Sequence, residues 1–101
     1  MNEKILSLLG IARRAGRLSL GNDAAIESLR KGRVHLILFA GDLSPKTAGG
    51  VEFAAREEEV AAVRIKATMD DLSMALGKRT GVVAVNDPGF AKKLLALSAD
   101  E

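Results

Sequence analysis

Residues Val34 to Ala40 form a nearly continuous apolar run, Val-His-Leu-Ile-Leu-Phe-Ala, closed on both sides by glycine, Gly32 before it and Gly41 after it. Its length suits a β-strand covered on both faces. The segments around it alternate between two periodicities. Ile5, Leu8, Leu9 and Ala12 follow helical spacing after a possible Asn2 cap, and Ala15-Gly16 should stop that helix in a left-handed cap. Arg17-Leu18-Ser19-Leu20 alternates like a short strand. Gly21-Asn22-Asp23 then reads as a turn into a second helix, about Asp23 to Lys31, with Gly32 as its stop. Ser44-Pro45 starts a third helix reaching Glu59, weakened in its first half by Gly49-Gly50 at about 1 kcal/mol per glycine. Val60 to Ile65 is the next strand. Thr68-Met69-Asp70-Asp71 resembles a capping box with an acid at its last position, opening a helix to Leu76. Val82 to Val85 is the last strand, and Asp87-Pro88 starts a C-terminal helix carrying Phe90, Leu94, Leu95 and Leu97. The order α-β-α-β-α-β-α-β-α predicts one α/β domain over residues 1–101. Its expected form is a three-layer α/β/α sandwich on a small, mostly parallel mixed sheet, with right-handed crossovers joining the three long strands.

Composition removes whole classes of chemistry. The chain has no cysteine, so a disulfide framework, a thiol nucleophile and a cysteine-ligated metal are excluded. A single histidine, His35, leaves no His-rich metal site, and its place in the apolar run predicts a packed or edge residue. No metal or other cofactor is expected. No apolar run approaches the roughly 20 residues of a membrane span. Met1-Asn2-Glu3-Lys4 opens straight into amphipathic sequence, so no secretion signal and a cytoplasmic setting are expected. Only three aromatic residues, Phe39, Phe53 and Phe90, are present, too few for a platform that stacks single-stranded bases.

Charge is more telling by position than by total. The net is +2, but residues 1–50 carry eight Lys/Arg against four Asp/Glu. Arg13, Arg14, Arg17, Arg30, Lys31 and Arg33 lie within residues 13–33, against only Asp23 and Glu27. Either this is a footprint for phosphates or it is a solvated face.

In open α/β sheets, ligands gather at loops beyond the strand ends, here 20–23, 40–45, 66–70 and 77–81. Two of these loops stand out. Ser19-Leu20-Gly21-Asn22-Asp23-Ala24 places glycine and small polar residues at a helix N-terminus, where N–H groups and the dipole hold phosphate. Asn22 can donate to and accept from a base edge, while Asp23 can only accept, for example from guanine. Plain N-capping by the same two residues is the competing reading. Gly77-Lys78-Arg79-Thr80-Gly81 is glycine-bounded and dibasic, suited to phosphate backbone contacts or simply a flexible charged turn. Asp42, Asp70-Asp71 and Glu57-Glu58-Glu59 read better as capping, helix-start and solvated acids than as catalytic groups. No phosphate-binding or dinucleotide-binding glycine motif is present.

An ordered set of residues covers nearly the whole chain: Gly10-x-Ala12-Arg13-Arg14-Ala15-Gly16-Arg17-Leu18-x-x-Gly21, then Val34-x-Leu36-Ile37-Leu38-x-Ala40-x-Asp42-x-Ser44, Leu76-Gly77-Lys78, Val82-Val83-Ala84-Val85 and Gly89-Phe90-Ala91-Lys92-Lys93-Leu94. This pattern resembles the bacterial YlxQ proteins, a branch of the ribosomal protein L-seven-Ae superfamily of kink-turn RNA binders. The resemblance implies an α/β/α domain without catalysis that clasps a sharply bent RNA loop built on tandem sheared G·A pairs. The loop and first turn of helix two would read guanine edges, here Gly21 to Glu27. The loop before the last strand, here Lys78 to Gly81, would cover an extruded nucleotide. The family pattern Gly-x-Asn-Glu-x-x-Lys is kept only at Gly21. Asp23 stands at the Asn position, Ala24 at the Glu position and Glu27 at the Lys position, although Asn22-Asp23 shifted by one residue imitates the Asn-Glu pair. Lys31, one turn on, can offset Glu27.

The sequence therefore predicts a monomeric, ribosomal-protein-like binder of structured RNA, from the ribosome or another non-coding source. Arg13, Arg14, Arg17, Lys31, Lys78 and Arg79 would contact phosphates, and Gly21 would allow close backbone approach. Asn22 and Asp23 would read bases, and Thr80 would bond a sugar or phosphate. The alternative is a protein-interaction module of the ribosome or transcription machinery with an incidental basic pole.

Overall fold

The computed structural model describes residues 3–101; the expected Asn2 cap lies outside them. The element order is α1 (Glu3–Arg14), β1 (Leu18–Leu20), α2 (Asn22–Arg30), β2 (Leu36–Phe39), α3 (Pro45–Glu57), β3 (Ala62–Arg64), α4 (Met69–Leu76), β4 (Val82–Val85) and α5 (Pro88–Ala99), the alternation expected from the sequence. Helix α1 packs on α4 and α5, while α2 packs on α3, so two helical layers enclose the sheet.

Local chemistry explains most boundaries. Ile5, Leu9 and Ala12 form the buried stripe of α1, which ends where Gly16 adopts φ 73°. Arg17 N–H then bonds back to Ala12 O at 2.9 Å, closing a Schellman turn. Helix α2 ends the same way, with Gly32 at φ 70° and Arg33 N–H on Ser28 O. Ser44 caps α3 ahead of Pro45, Thr68 and Asp71 complete a reciprocal capping box on α4, and Asp87 caps α5 ahead of Pro88.

The strand order is β1-β4-β2-β3. Only the β2–β3 pairing is parallel; β4 is antiparallel to both β1 and β2, so β1, β2 and β3 share one direction and β4 runs against them. The sheet is thus mixed, as expected, with three of its four strands pointing one way; both β1–α2–β2 and β2–α3–β3 cross over between strands of one direction, whereas the crossover expected to reach β4 is absent, since β4 runs the other way. Two of the three pairings are antiparallel because β4, the reversed strand, inserts between β1 and β2 instead of lying at an edge. The two central strands are buried along their whole length, Leu-Ile-Leu-Phe and Val-Val-Ala-Val, and the edge strands only in part. Fully burying each such aliphatic side chain contributes about 1.5–3 kcal/mol, so β2 and β4 anchor the core. His35 lies one residue before β2 and is exposed, with its N–H on Val85 O at 2.8 Å. The apolar run therefore holds a shorter strand than its length suggested.

Candidate nucleic-acid interface

Strand direction gathers four loops at one end of the sheet. The carboxyl ends of β1, β2 and β3 meet the amino end of β4 there, as the registers Leu20↔Val83, Phe39↔Val82 and Phe39↔Arg64 require. Backbone hydrogen bonds lace this end together in strand order. Gly21 N–H donates to Val82 O (2.9 Å), Ala40 N–H to Gly81 O (2.9 Å) and Gly41 N–H to Ala67 O (2.8 Å). The two loops singled out in the sequence, 21–24 and 78–81, are therefore neighbours, held by β1 and β4.

Helix α2 starts differently from the helices that follow it. Its N-cap is Gly21, at φ 97° and ψ 166°, and no side chain caps it. Asn22 and Asp23 stand one and two places inside the helix, both exposed, so neither performs the capping that their residue types suggested. The N–H groups of Asn22, Asp23 and Ala24 meet no protein acceptor among the described residues. Such groups in the first turn are left to water or a ligand. A Cβ on Gly21 would meet nothing within 4 Å. The position needs glycine for its backbone angle, and open space lies above it.

The second loop is more occupied than its sequence implied. Arg79 is exposed but bonded to Asp70 at 2.6 Å. Lys78 is exposed. Thr80 is buried, and its hydroxyl donates to Val82 O (2.8 Å) and accepts from Val82 N–H (3.2 Å). That corrects the expectation of a sugar or phosphate contact: the Thr80 hydroxyl is spent on holding the turn. Two residues position this end, and the first of them was missed from sequence. Arg64 donates to the carbonyls of Ala40, Gly41 and Leu43, fixing the loop after β2. Asp42 accepts from Met69 N–H at 2.9 Å, tying that loop to α4. The capping reading of Asp42 is the observed one. Gly41 packs so closely that a Cβ would stand 2.9 Å from Ile65 O.

The remaining candidates lie elsewhere. Arg17 O accepts from Asn86 N–H beyond the far end of β4. Arg13 and Arg14 close α1 on that same side, and Lys31 follows the C-terminus of α2. The expected single basic face is divided: Gly21, Asn22, Asp23, Lys78 and Arg79 sit at one end of the sheet, and Arg13, Arg14, Arg17 and Lys31 at the other. Lys31 is engaged with Glu27 at 2.8 Å. That hydrogen bond and the Lys31 charge hold the Glu27 carboxyl below the usual carboxylate range; slight desolvation opposes this and the Arg33 charge adds to it. Glu27 thus stays ionised, and Lys31 neutralises it. Among the described residues, no three His, Asp or Glu side chains are arranged to hold a metal, and no helix is long and apolar enough to cross a membrane.

These features define a small α/β/α domain with its loops gathered at one end and an uncapped helix start among them. The model of the ribosomal protein L7Ae/L30e/S12e/Gadd45 family matches residues 3–95, and the chain belongs to that family. It is 36% identical over 91 residues to the RNA-binding protein YlxQ of Bacillus subtilis, covering 89% of this chain and 90% of that one. It is 31% identical over 98 residues to the large ribosomal subunit protein eL30 of Candida glabrata, covering 95% and 93%. Among solved structures, a protein of unknown function from Bacillus halodurans C superposes with a TM-score of 0.90 at 31% identity, covering 99% of this chain and all of that one. The 15.5kD RNA-binding protein of Giardia lamblia shares the fold, with a TM-score of 0.79 at 18% identity, covering 99% and 92%.

Proposed function

We propose that this chain is a non-catalytic RNA-binding protein that takes a structured RNA, of the kink-turn kind, at the loop end of its sheet. The observation that carries the reading is the uncapped start of α2 beside the Lys78–Gly81 loop, in a chain of this family. Three free N–H groups and the positive helix end suit an RNA phosphate or a base acceptor. Asn22 and Asp23, exposed in the same turn, supply the donors and acceptors that a sheared guanine edge needs. Lys78 adds an exposed phosphate contact. Arg79 joins it by exchanging Asp70 for a phosphate, a small cost for a solvent-exposed pair. Glu27 brings no lysine-like attraction, but its pairing with Lys31 removes most of the repulsion. The protein is expected to act as a monomer, on ribosomal or another structured RNA, in the cytoplasm.

The test is a titration of the protein into a fluorophore-labelled kink-turn duplex at about 150 mM salt, beside a control with the tandem G·A pairs replaced by Watson–Crick pairs. Binding at least tenfold tighter to the kinked RNA is expected. Equal weak binding to both would reduce the reading to general phosphate affinity. Binding to neither would remove it and leave the protein-interaction alternative.

A further inference from the structure

The sheet end opposite the loops carries the stronger positive charge. Arg13 and Arg14 lie in the last turn of α1, Arg17 follows Gly16, Arg30 closes α2 and Arg33 follows Gly32. All five are exposed, and among the described residues none forms an ion pair. The two Gly-Arg junctions are brought together by β4. Arg17 O accepts from Asn86 N–H, and His35 N–H, two residues past Arg33, donates to Val85 O. The Ser19 hydroxyl bonds Ser28 of α2, so strand alternation puts Arg17, two residues earlier, on the α2 side with Arg30 and Arg33.

The opposing charges are fewer. Glu27 is neutralised by Lys31. Asp87 lies nearby but caps α5 through Phe90 N–H. Glu57, Glu58 and Glu59 precede β3, three strand spacings or about 14 Å from β1, though only one from β2, the strand that follows Arg33. The C-termini of α1, α2 and α3 each bring roughly half a negative charge, and the N-terminus of α5 roughly half a positive one. Arg17, Arg30 and Arg33 together outweigh Asp87 and these helix-end charges, with Glu57–Glu59 beyond Arg33 at the β3 edge.

A shallow groove lined by Asp23, Ile26, Glu27, Arg30 and Lys31 runs along α2 between the two ends. Asp23 and the mutually neutralised Glu27–Lys31 pair leave this stretch without the positive charge of either end, so a phosphate backbone gains little along it between them. We propose that the Arg17, Arg30 and Arg33 end is a second phosphate-binding surface. It holds the backbone of an RNA segment separate from the one at Gly21 and Lys78, so that one copy of the chain bridges two RNA segments. Guanidinium forks match phosphate oxygens bidentately, and the absence of an aromatic residue among these positions suits a duplex backbone rather than stacked single-stranded bases. The proposal rests on the RNA reading above.

The experiment saturates the protein with unlabelled kink-turn RNA and then titrates in a labelled Watson–Crick RNA duplex, reading anisotropy. Wild type is expected to capture the duplex, with log affinity falling against log salt at a slope of about −2 to −3, nearly one unit per phosphate engaged. The triple variant Arg17→Gln, Arg30→Gln, Arg33→Gln is expected to lose capture at least tenfold while its kink-turn affinity changes less than about threefold; the corresponding lysine variant restores much of the capture. Circular dichroism verifies that the variants are folded. Failure of the wild-type complex to capture duplex while it still binds kink-turn RNA would overturn the second surface alone. Equal loss of both RNAs in the triple variant would show one surface instead of two. Wild type binding neither RNA would remove the RNA reading as well.

Discussion

The two ends of the sheet are built from the same loops-and-helices inventory but present opposite balances of geometry and charge. At the loop end, the backbone is laced strand to strand, Gly41 leaves no room for a methyl group, and Arg64 spends three hydrogen bonds on one turn. Its charges are mixed: Arg79 is paired with Asp70, and Asp23 stands in the first turn of α2. At the arginine end, five exposed cations on two helix stops form no ion pair among the described residues. On the proposed reading, the difference divides the labour. Fixed backbone donors and short polar side chains would discriminate between RNAs, because a misplaced partner leaves them unmatched. Exposed arginines would supply affinity that follows salt and ignores sequence.

The comparison is broken most forcefully at Gly41. Alanine there places a Cβ 2.9 Å from Ile65 O and 3.0 Å from Lys66 O, both backbone atoms that cannot step aside. A loss of about 2–3 kcal/mol is expected in chemical denaturation. Gly81→Ala should cost less, although its nearest contact is closer at 2.6 Å, because Leu43 Cδ1 and Met69 Sδ belong to side chains that can move. Equal losses at both sites would contradict the rigid-loop account.

Gly21→Ala comes next. At φ 97° it strains the backbone by about 1–3 kcal/mol and disturbs the free N–H groups of α2. Discrimination between kink-turn and control RNA should fall with stability. Asp23→Ala should remove about 1–3 kcal/mol of that discrimination with little effect on folding, since Asp23 makes no cap. Arg17→Gln should weaken capture of the Watson–Crick duplex and reduce the salt slope of that capture by about one unit, with kink-turn affinity little changed. The smallest effect is expected at Glu27. Its folded pKa lies below the unfolded value, so its pairing helps at neutral pH and fades as acid protonates the carboxylate. Because the pair is exposed, that pH dependence of stability should be hard to detect by thermal melts. Glu27→Gln frees Lys31 and should raise affinity for both RNAs slightly.

How much of this was legible depended on whether the signal was local. Gly16, Gly32, the Ser44-Pro45 start and the Thr68–Asp71 capping box mark element ends through bonds spanning a few residues, and the structure has them all. Strand direction was not legible. An apolar run buried on both faces, such as Leu36–Phe39, looks the same whether its neighbour runs parallel or antiparallel, and β4 settles beside β2 through pairings more than 40 residues apart in sequence. That reversal also decides the site. It brings Lys78–Gly81 to Gly21 and sends Arg17 to the opposite end. Thr80 misled because a hydroxyl in a polar loop carries no sequence mark of being turned inward. Asn22 and Asp23 misled as caps because the helix begins one residue earlier than their type suggested, on a glycine whose angle no other residue readily takes.

The central claim is tested most directly by one affinity ratio, kink-turn over control duplex, measured side by side for wild type, Asp23→Ala and Arg17→Gln/Arg33→Gln at about 150 mM salt. The account predicts that Asp23→Ala collapses the ratio toward one, while the arginine variant lowers mainly the affinity for the control duplex, so that the ratio is kept or rises. A ratio that survives Asp23→Ala and collapses with the arginines would contradict it.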